Sequence, residues 1–332
     1  ATVDDRAQAR NWDNWIEFCS DARLDPYLLE CSKPVQQQLL LGFAARIRRG
    51  YFGRDAQVQA QTPETALRHM AQTLVLAGYP DPRRSYGSKD LDLPFSRLLR
   101  SYKTDDPALR PQLALPVDTI QYAAAHFREP HDALSRATAD LVTVAFFFLL
   151  RVGEYTMPTK KTRTRTVQFR PMHVQFHHRG VLLPHTTPLA LLLQADAATL
   201  YMDNQKNGQR GATIHHHAHQ GWFCPVKALA RRVSAITQQG FGPDTPLSQV
   251  SVGVHVLPHH VVKLVRLAAR QTNLVARGYP ENRVGSHSLR ASGAMALALT
   301  GAKDSTIMKM GRWTGLTFLT YIHSQIGALN AG

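Results

Sequence analysis

The sequence predicts a two-domain, mainly α-helical protein whose second domain also holds a small antiparallel sheet. Apolar residues recur at helical spacing through the first hundred positions, and a polar, proline-bearing segment follows them. Beyond that segment, short strand-like runs lie between two sets of helical segments. We therefore predict a helical domain at residues 1–105, a linker at 106–115 and a mixed α+β domain at 116–332.

Four helices are predicted in the first domain, because apolar residues return every three or four positions and mark one face of a helix. A cap followed by a first-turn proline predicts where the third helix begins. The markers are Trp12, Trp15, Ile16 and Cys19; Leu39, Leu40, Phe43 and Ile47 before Gly50; Thr62-Pro63 followed by Leu67, Met70 and Leu74; and Phe95–Tyr102.

In the second domain, an almost wholly apolar helix over Ala137–Leu150 is expected at the centre. Helices are also expected from Pro225, with an apolar stripe, and over Pro258–Val275. An Asn207-Gly208 turn between two strands predicts a hairpin, since both turn positions favour positive φ. The predicted strands are Thr166–Phe169, His173–Phe176, Gly180–Pro184, Thr199–Met202 and Ala212–His217.

The charge balance predicts a polyanionic partner, which is most often nucleic acid. Lys and Arg number 39 against 24 acidic residues, which gives a net charge of +15 and a pI near 10.1. RIRRG is either a solvated turn or a phosphate contact, and KKTRTR either a backbone-contact run or an exposed strand. The candidate DNA-binding residues are Arg46, Arg48 and Arg49; Lys160, Lys161, Arg163 and Arg165; and Lys263, Arg266 and Arg270 on one helix face.

Several classes of protein are disfavoured by the sequence. Three widely separated cysteines suggest neither a disulfide framework nor a cysteine zinc site, so a reducing compartment is expected. The most apolar run, Val142–Leu150, is far shorter than the roughly 20 residues of a membrane span. Because this run is so short, we expect no membrane partner. Neither a P-loop nor an acidic metal cluster is present in the sequence, so we expect no nucleotide and no cofactor.

A run of histidines, HHHAH, allows two interpretations. His215, His217 and His219 would share one face of a strand, which is a feasible spacing for metal ligands. No cysteine or acidic residue accompanies them, and a strand close to DNA phosphates is the favoured interpretation.

Two arginine motifs point to phosphate chemistry. Ser286 is a natural N-cap, which would put His287 and Arg290 in the first turn of a helix, where free N–H groups favour anions. Arg151 directly follows the apolar run, and Glu154 is close enough in sequence to orient it. An arginine anchored near a core is costly unless it is paired.

These motifs, taken in order, resemble the tyrosine recombinase (phage integrase-like) superfamily. Their wording is most similar to the DIRS-like and Crypton-like recombinases of eukaryotic mobile elements. The resemblance extends from Pro116 to the end, whereas the first domain is similar to the family's core-binding domain only in its helical character. The residues that carry it are Arg151 in LLRVGEYT, Lys206 in QKNGQRG, His287 and Arg290 in HSLR, Trp313 in GRW and Tyr321 in TYIH.

The resemblance implies a core-binding domain and a catalytic domain that clamp DNA as a C shape. Each strand would be cut through a 3′-phosphotyrosine, and a homotetramer, with a dimer on each site, would exchange strands through a Holliday junction. Integration or excision of a mobile element is the expected role. The expected location is the nucleus for a eukaryotic element and the cytoplasm or nucleoid for a prokaryotic one.

Each proposed site residue suits one part of this chemistry. Arg151 and Arg290 would neutralise the non-bridging oxygens, and Glu154 would hold Arg151 as a structural partner. Tyr321 would be the nucleophile, with His287 taking its proton or holding an oxygen. Lys206 would protonate the leaving 5′ oxygen, with Lys160 and Lys161 as rivals, and Trp313 would donate one hydrogen bond while packing the site.

Three other functions compete with this one. The first is a domesticated, non-cleaving DNA-binding protein, which has no need of Tyr321. A type IB topoisomerase-like enzyme uses similar residues without a partner assembly. A zinc-binding structural protein ranks last.

Overall fold

The computed structural model describes residues 3–53, 56–107, 112–126, 128, 132–158, 167–202, 211–315 and 318–319. The chain divides into two compact units, Ala1–Leu109 and Arg110–Gly332. Both are mainly helical, and a small antiparallel sheet lies in the second unit, which confirms the predicted fold class. The described residues include no helix long and apolar enough to cross a membrane. Outside the described residues lie Lys160, Lys161, Arg163, Arg165, Lys206, the Asn207-Gly208 turn and Tyr321.

The described residues of the first unit form four helices, which pack around an aromatic core. Trp15 lies at its centre, with its ring centroid 5.1 Å from that of Phe43. The sequence pattern placed Ile16 on the buried face, but Ile16 is 42% exposed and Phe18 is buried in its stead. The helices are α1 (Val3–Asp21), α2 (Lys33–Arg48), α3 (Gln61–Leu76) and α4 (Leu93–Asp105).

The start of α3 differs from the prediction. The helix begins at Gln61, with Ala60 rather than Thr62 at the N-cap position. The backbone N–H of Ala60 donates a hydrogen bond to Asp106, 2.8 Å away, so a distant carboxylate binds the residue at the N-cap position, whose own side chain makes no cap hydrogen bond. This bond, together with the Arg48 ion pair, holds the pKa of Asp106 below its usual value.

Arg48 lies inside the first unit, which corrects its assignment as a phosphate contact. Its side chain donates to the carbonyls of Val58 and Tyr102, forms an ion pair with Asp106, and is 6% exposed. Its neighbours keep surface positions, because Arg46 forms a partly exposed ion pair with Asp21 and Arg49 is exposed. Arg48 therefore stabilises the first unit.

The second unit is built around α6, whose residues from Ala137 to Phe146 are all buried. This helix packs against α5, α9, α10 and α11. It ends at Phe147, three residues earlier than predicted. The helices are α5 (Val117–Ala125), α6 (Ala133–Phe147), α7 (Val152–Tyr155), α8 (Leu189–Leu192), α9 (Pro225–Gln238), α10 (Pro258–Gln271), α11 (Ser286–Leu299) and α12 (Asp304–Gly311).

Four strands form the antiparallel sheet, in the order β2-β1-β3-β4. They are β1 (Val174–His178), β2 (Val181–Leu183), β3 (Ala197–Met202) and β4 (Ala212–His217). β3 pairs with β4 up to Met202 opposite Ala212, which confirms the predicted pairing of these two strands.

Two features of the strand prediction need correction. Residues 167–169 form no strand, because Phe169 is buried in the core and its N–H donates to the carbonyl of Glu154, at 2.8 Å. A two-stranded ribbon of β5 (Gln249–Ser251) and β6 (Val254–His255) was not predicted. Gly253, at φ 72°, supplies the turn between its two short strands.

Candidate active site

The site begins at a sharp turn that ends α6. Leu149 adopts a left-handed conformation, with φ 50°, which costs a non-glycine residue about 1 kcal/mol. Its side chain is buried in an apolar cluster with Ala291 and Ala294 of α11, and this packing offsets the cost. The turn directs the chain from the buried helix to Arg151.

Glu154 accepts hydrogen bonds from both the backbone and the side chain of Arg151. The backbone N–H of Arg151 donates to one carboxylate oxygen at 2.8 Å, and the guanidinium Nη1 donates to the other at 3.2 Å. Glu154 is almost fully buried, whereas the Arg151 side chain is 19% exposed. The carboxylate thus fixes the guanidinium at the edge of the core, as the sequence interpretation assumed.

The N-terminus of α11 is capped differently from the prediction. The helix begins at Ser286, so Gly285 and not Ser286 is the N-cap residue. The backbone N–H of His287, in the first turn, donates to Oε1 of Gln112, a residue of the predicted linker, at 2.8 Å. A Cβ on Gly285 would lie 2.4 Å from this amide, so glycine allows the close approach. His287 itself is exposed in the first turn.

Arg290 lies one turn further along α11 and is buried. A Cβ on Gly293 would lie 2.3 Å from the carbonyl oxygen of Phe146, so this glycine allows α11 to pack directly on α6. Arg290 then donates through Nη1 to the carbonyl of Leu149 at 2.7 Å, and through Nη2 to the carbonyl of Gly311.

Each residue of the GRW motif serves this cluster. Gly311 supplies the carbonyl for Arg290, and it must lack a side chain because a Cβ would lie 1.6 Å from the Trp313 ring. Arg312 ends α12 in a left-handed conformation, with φ 56°. The ring of Trp313 covers the Arg290 guanidinium, with 4.5 Å from the guanidinium carbon to the ring centroid.

Arg312 is a member of the cluster that sequence reasoning missed. Its Nη2 donates to the carbonyl of Leu149 at 2.9 Å and to Glu154 Oε2 at 3.1 Å, and its Nη1 lies 3.4 Å from the sulfur of Met202. Burial lowers the pKa of Arg312, and the Glu154 carboxylate opposes this effect. The available signal was its position inside GRW, a motif that drew attention only for its tryptophan.

Leu149, Arg151, Glu154, Arg290 and Arg312 together form what we call the arginine corner. Trp313 covers it, and His287 lies in the first turn of the helix that supplies Arg290. Clustered guanidinium groups at the edge of a core, where Arg151 is partly exposed, can bind the oxygens of a phosphate. The corner therefore contains three of the predicted site residues, Arg151, Glu154 and Arg290, and a fourth, Trp313, packs on it.

Lys206 and Tyr321 lie outside the described residues. A residue a few positions before each of them in the sequence does contact this site. Met202, four positions before Lys206 in the sequence, touches Arg312. Phe318, three positions before Tyr321, is fully buried and its ring centroid lies 5.8 Å from that of Trp313.

The histidine run has structural partners. β4 ends at His217, so His219 does not share a strand face with His215 and His217 as predicted. His215 bonds to Thr199 at 2.7 Å, and His216 Nε2 donates to the carbonyl of Phe147 at 2.9 Å. Burial lowers the pKa of His216 to about 4. Within the described part of the chain, no three His, Cys, Asp or Glu side chains are placed to hold a metal.

The candidate DNA-binding residues of α10 differ in their surroundings. Lys263 is exposed, and Arg270 forms an exposed ion pair with Glu281 at 2.8 Å. Arg266 is half-buried and donates through Nε to the carbonyl of Val284 at 3.0 Å. Lys263 and Arg270 keep the exposure that a phosphate contact needs, whereas Arg266 also connects α10 to the segment before α11.

No protein-family model matches the sequence, and no curated protein matches it significantly. Solved structures do match. The XerH site-specific recombinase, bound to palindromic difH substrate in a post-cleavage complex, has a TM-score of 0.52 and 14% identity, over 89% of this chain and 70% of that chain. The Tn1549 transposon integrase with circular intermediate DNA has a TM-score of 0.47 and 12% identity, over 91% and 86%. The XerA recombinase has a TM-score of 0.40 and 13% identity, over 97% and 96%. The XerH match, together with the helical units and small sheet described above, shows that this chain has the fold of the tyrosine recombinases.

Proposed function

We propose that this chain is a DNA strand transferase of the tyrosine recombinase type. The observation that carries the proposal is the arginine corner, in which Arg151 and Arg290 share a network through Leu149, Arg312 and Glu154. The substrate is double-stranded DNA, in keeping with a net charge of +15. The similar XerH structure is described as a complex with its difH substrate.

In the proposed reaction, the Tyr321 hydroxyl attacks the scissile phosphorus and the bond to the 5′ oxygen breaks. His287 accepts the tyrosine proton, and Lys206 gives a proton to the departing 5′ oxygen. Arg151 and Arg290 stabilise the charge that gathers on the non-bridging oxygens of the pentacoordinate transition state. The products are a 3′-phosphotyrosine and a free 5′ hydroxyl, and the reverse reaction joins a new strand.

The assembly and biological role belong to the same proposal. A homotetramer, with a dimer on each site, would exchange strands through a Holliday junction. A role in integration or excision of a mobile element, of the DIRS-like or Crypton-like type, follows from the wording of the motifs. Recombinant products would separate this role from that of a type IB topoisomerase-like enzyme, which only relaxes supercoils.

Capture of the covalent intermediate tests the chemistry. The protein is incubated with a pool of nicked duplexes that carry a randomised central segment, and adducts are isolated on a denaturing gel and sequenced. We expect an adduct with the wild type, none with Tyr321→Phe, and an undiminished adduct with Tyr122→Phe, whose ring lies exposed on α5. No adduct from the wild type, despite DNA binding, would favour the non-cleaving alternative.

A sulfur-substituted strand tests the general acid. A 5′-bridging phosphorothiolate leaves as a thiolate and needs little protonation. Lys206→Ala should therefore cleave ordinary DNA slowly and recover on the sulfur-substituted strand. Equal defects on the two strands would remove Lys206 from this role, and Lys160→Ala and Lys161→Ala would be compared on the same pair.

A further inference from the structure

Arg312 occupies the centre of the arginine corner. It shares the Leu149 carbonyl with Arg290 and the Glu154 carboxylate with Arg151. It is therefore joined to each predicted catalytic arginine through a single intermediate group. The Arg312 side chain is 1% exposed, and its guanidinium contacts the Leu149 carbonyl, the Glu154 carboxylate and the sulfur of Met202, so these contacts are all to groups inside the second unit.

The contacts of Arg312 also join three parts of the chain. The Leu149 carbonyl belongs to the turn after α6, Glu154 to α7, and Met202 to the end of β3. The left-handed conformation of Arg312, at the end of α12, turns its side chain towards all three. One planar guanidinium with several N–H donors can bridge such a set, whereas an ammonium cannot match the same fork geometry.

We propose that Arg312 is a positioning residue that fixes Arg151 through Glu154 and Arg290 through the Leu149 carbonyl. This inference rests on the proposed function, since it assigns Arg312 a part in the same strand cleavage. Arg312 does not touch the phosphate. It orients the two guanidinium groups that do.

Loss of Arg312 should act through misplacement of the other two arginines. Glu154 would lose the Arg312 guanidinium and keep Arg151, and the Leu149 carbonyl would lose the Arg312 donor and keep Arg290. A shift of about 1 Å in catalytic groups can slow a reaction about 10²-fold. The loss of cleavage rate should be largest when the non-bridging oxygens carry their full charge, because the two catalytic arginines stabilise that charge.

A matched set of variants tests this idea. Arg312→Lys keeps the charge but loses the fork, and Arg312→Met fills the space without a buried charge. Arg232→Lys is the control, because Arg232 is also buried in the second unit and donates to two backbone carbonyls, those of Leu247 and Gln249, but lies outside the corner. Unfolding curves establish that each variant is folded before cleavage is measured.

Cleavage is then compared on two forms of the duplex recovered by adduct capture. One has an ordinary scissile phosphate, and the other has a methylphosphonate, in which a methyl group replaces one non-bridging oxygen and removes the charge. Arg312→Lys should cleave the ordinary duplex about 10²-fold more slowly than the wild type. Its defect should shrink to about tenfold or less on the methylphosphonate diastereomer that also relieves Arg151→Lys. Arg232→Lys should show the same ratio to wild type on all substrates.

Three results would overturn the assignment. Arg312→Lys could cleave as fast as the wild type, or it could be slowed equally on charged and neutral substrates, as a purely structural role requires. Failure of both Arg312 variants to fold would make Arg312 a stability residue. By contrast, a wild-type protein that forms no adduct would contradict the proposed function itself, so the two failures are distinguishable.

Discussion

Two buried arginine clusters in the second unit invite comparison. The first, which we call the Asp140 cluster, consists of Asp140, Arg231 and Arg232. Arg231 of α9 donates twice to one oxygen of Asp140 in α6, at 2.8 and 2.5 Å. Arg232 donates to two backbone carbonyls near β5. Each of these contacts joins α9 to one neighbouring element, so the cluster stabilises the packing of helices and strands.

The arginine corner is arranged differently. Three guanidinium groups from three elements share one carboxylate and one backbone carbonyl, and the cluster reaches solvent at Arg151. Burial of an arginine is therefore weak evidence of chemistry in this protein. Convergence of several arginines on few acceptors, at an edge of the core, is the feature that separates the candidate active site from a structural ion pair.

The largest expected effect separates the two clusters by activity. Arg290→Lys should lose about 10²–10³-fold in cleavage, comparable to loss of one transition-state hydrogen-bond donor. Arg232→Lys should cleave at nearly the wild-type rate per folded molecule. Single-turnover adduct formation measures the cleavage rate of both variants. An equal loss in the two would contradict the distinction between the arginine corner and the Asp140 cluster.

The next effect is on stability and belongs to the Asp140 cluster. Asp140→Asn leaves Arg231 and Arg232 without their acidic neighbour, and breaking a buried pair costs about 3–5 kcal/mol. Partial exposure of Arg231 places the expectation at the lower end, about 3 kcal/mol. Denaturant unfolding measures the change, and a loss below about 1 kcal/mol would mean that the pair contributes little.

A smaller effect depends on pH. Burial lowers the pKa of His216 to about 4, with His217 and His219 contributing, so the fold favours its neutral form. The stability that His216 adds is complete above pH 6.5 and is lost as the pH falls towards 4, by at most about 3 kcal/mol. The unfolding free energy of His216→Phe should fall less over this range than that of the wild type. His217→Ala, at an exposed position, should retain most of the wild-type slope, because the charge of His217 is the smallest cause of the shift and burial is the largest. A wild-type slope in His216→Phe would contradict the assignment.

The smallest effect concerns the cap on α11. Gln112→Ala removes the acceptor for the His287 N–H and should cost about 1 kcal/mol, as loss of a helix cap does. Gln112→Glu, which keeps the acceptor, should retain this stability. Thermal unfolding distinguishes the two, and equal losses would show that the amide acts by packing against Gly285 rather than by capping.

Much of the fold was accessible from the sequence because its signals are local. The apolar stripe of α9, from Val226 to Ile236, and the β3–β4 pairing are both present as predicted. Arg151, Arg290 and Trp313 were selected from motif order and Glu154 from its position three residues after Arg151, and the structure joins them. Whether each acts in catalysis stays a prediction.

The misses have a common physical cause, which is dependence on distant residues. Ile16 and Phe18 both suit a helix, and only the packing of α1 decides which one is buried. Arg48 reads as one more cation in a basic turn, but Asp106, 58 positions away, makes it internal. Arg312 became visible as a member of the site only when the turn at Leu149 and Glu154 lay beside it.

The left-handed turn at Leu149 also determines when the site can form. Its carbonyl receives donors from Arg290 and Arg312, which lie 141 and 163 positions later in the chain. Contacts of such separation form late in folding, because the intervening chain must first be closed into a loop. A growing chain on the ribosome therefore completes α6 long before the arginines that meet its end have been synthesised. We expect a chain truncated before α12 to form α6 but to lack the assembled corner, so the proposed site would arise only after residue 312 has been synthesised.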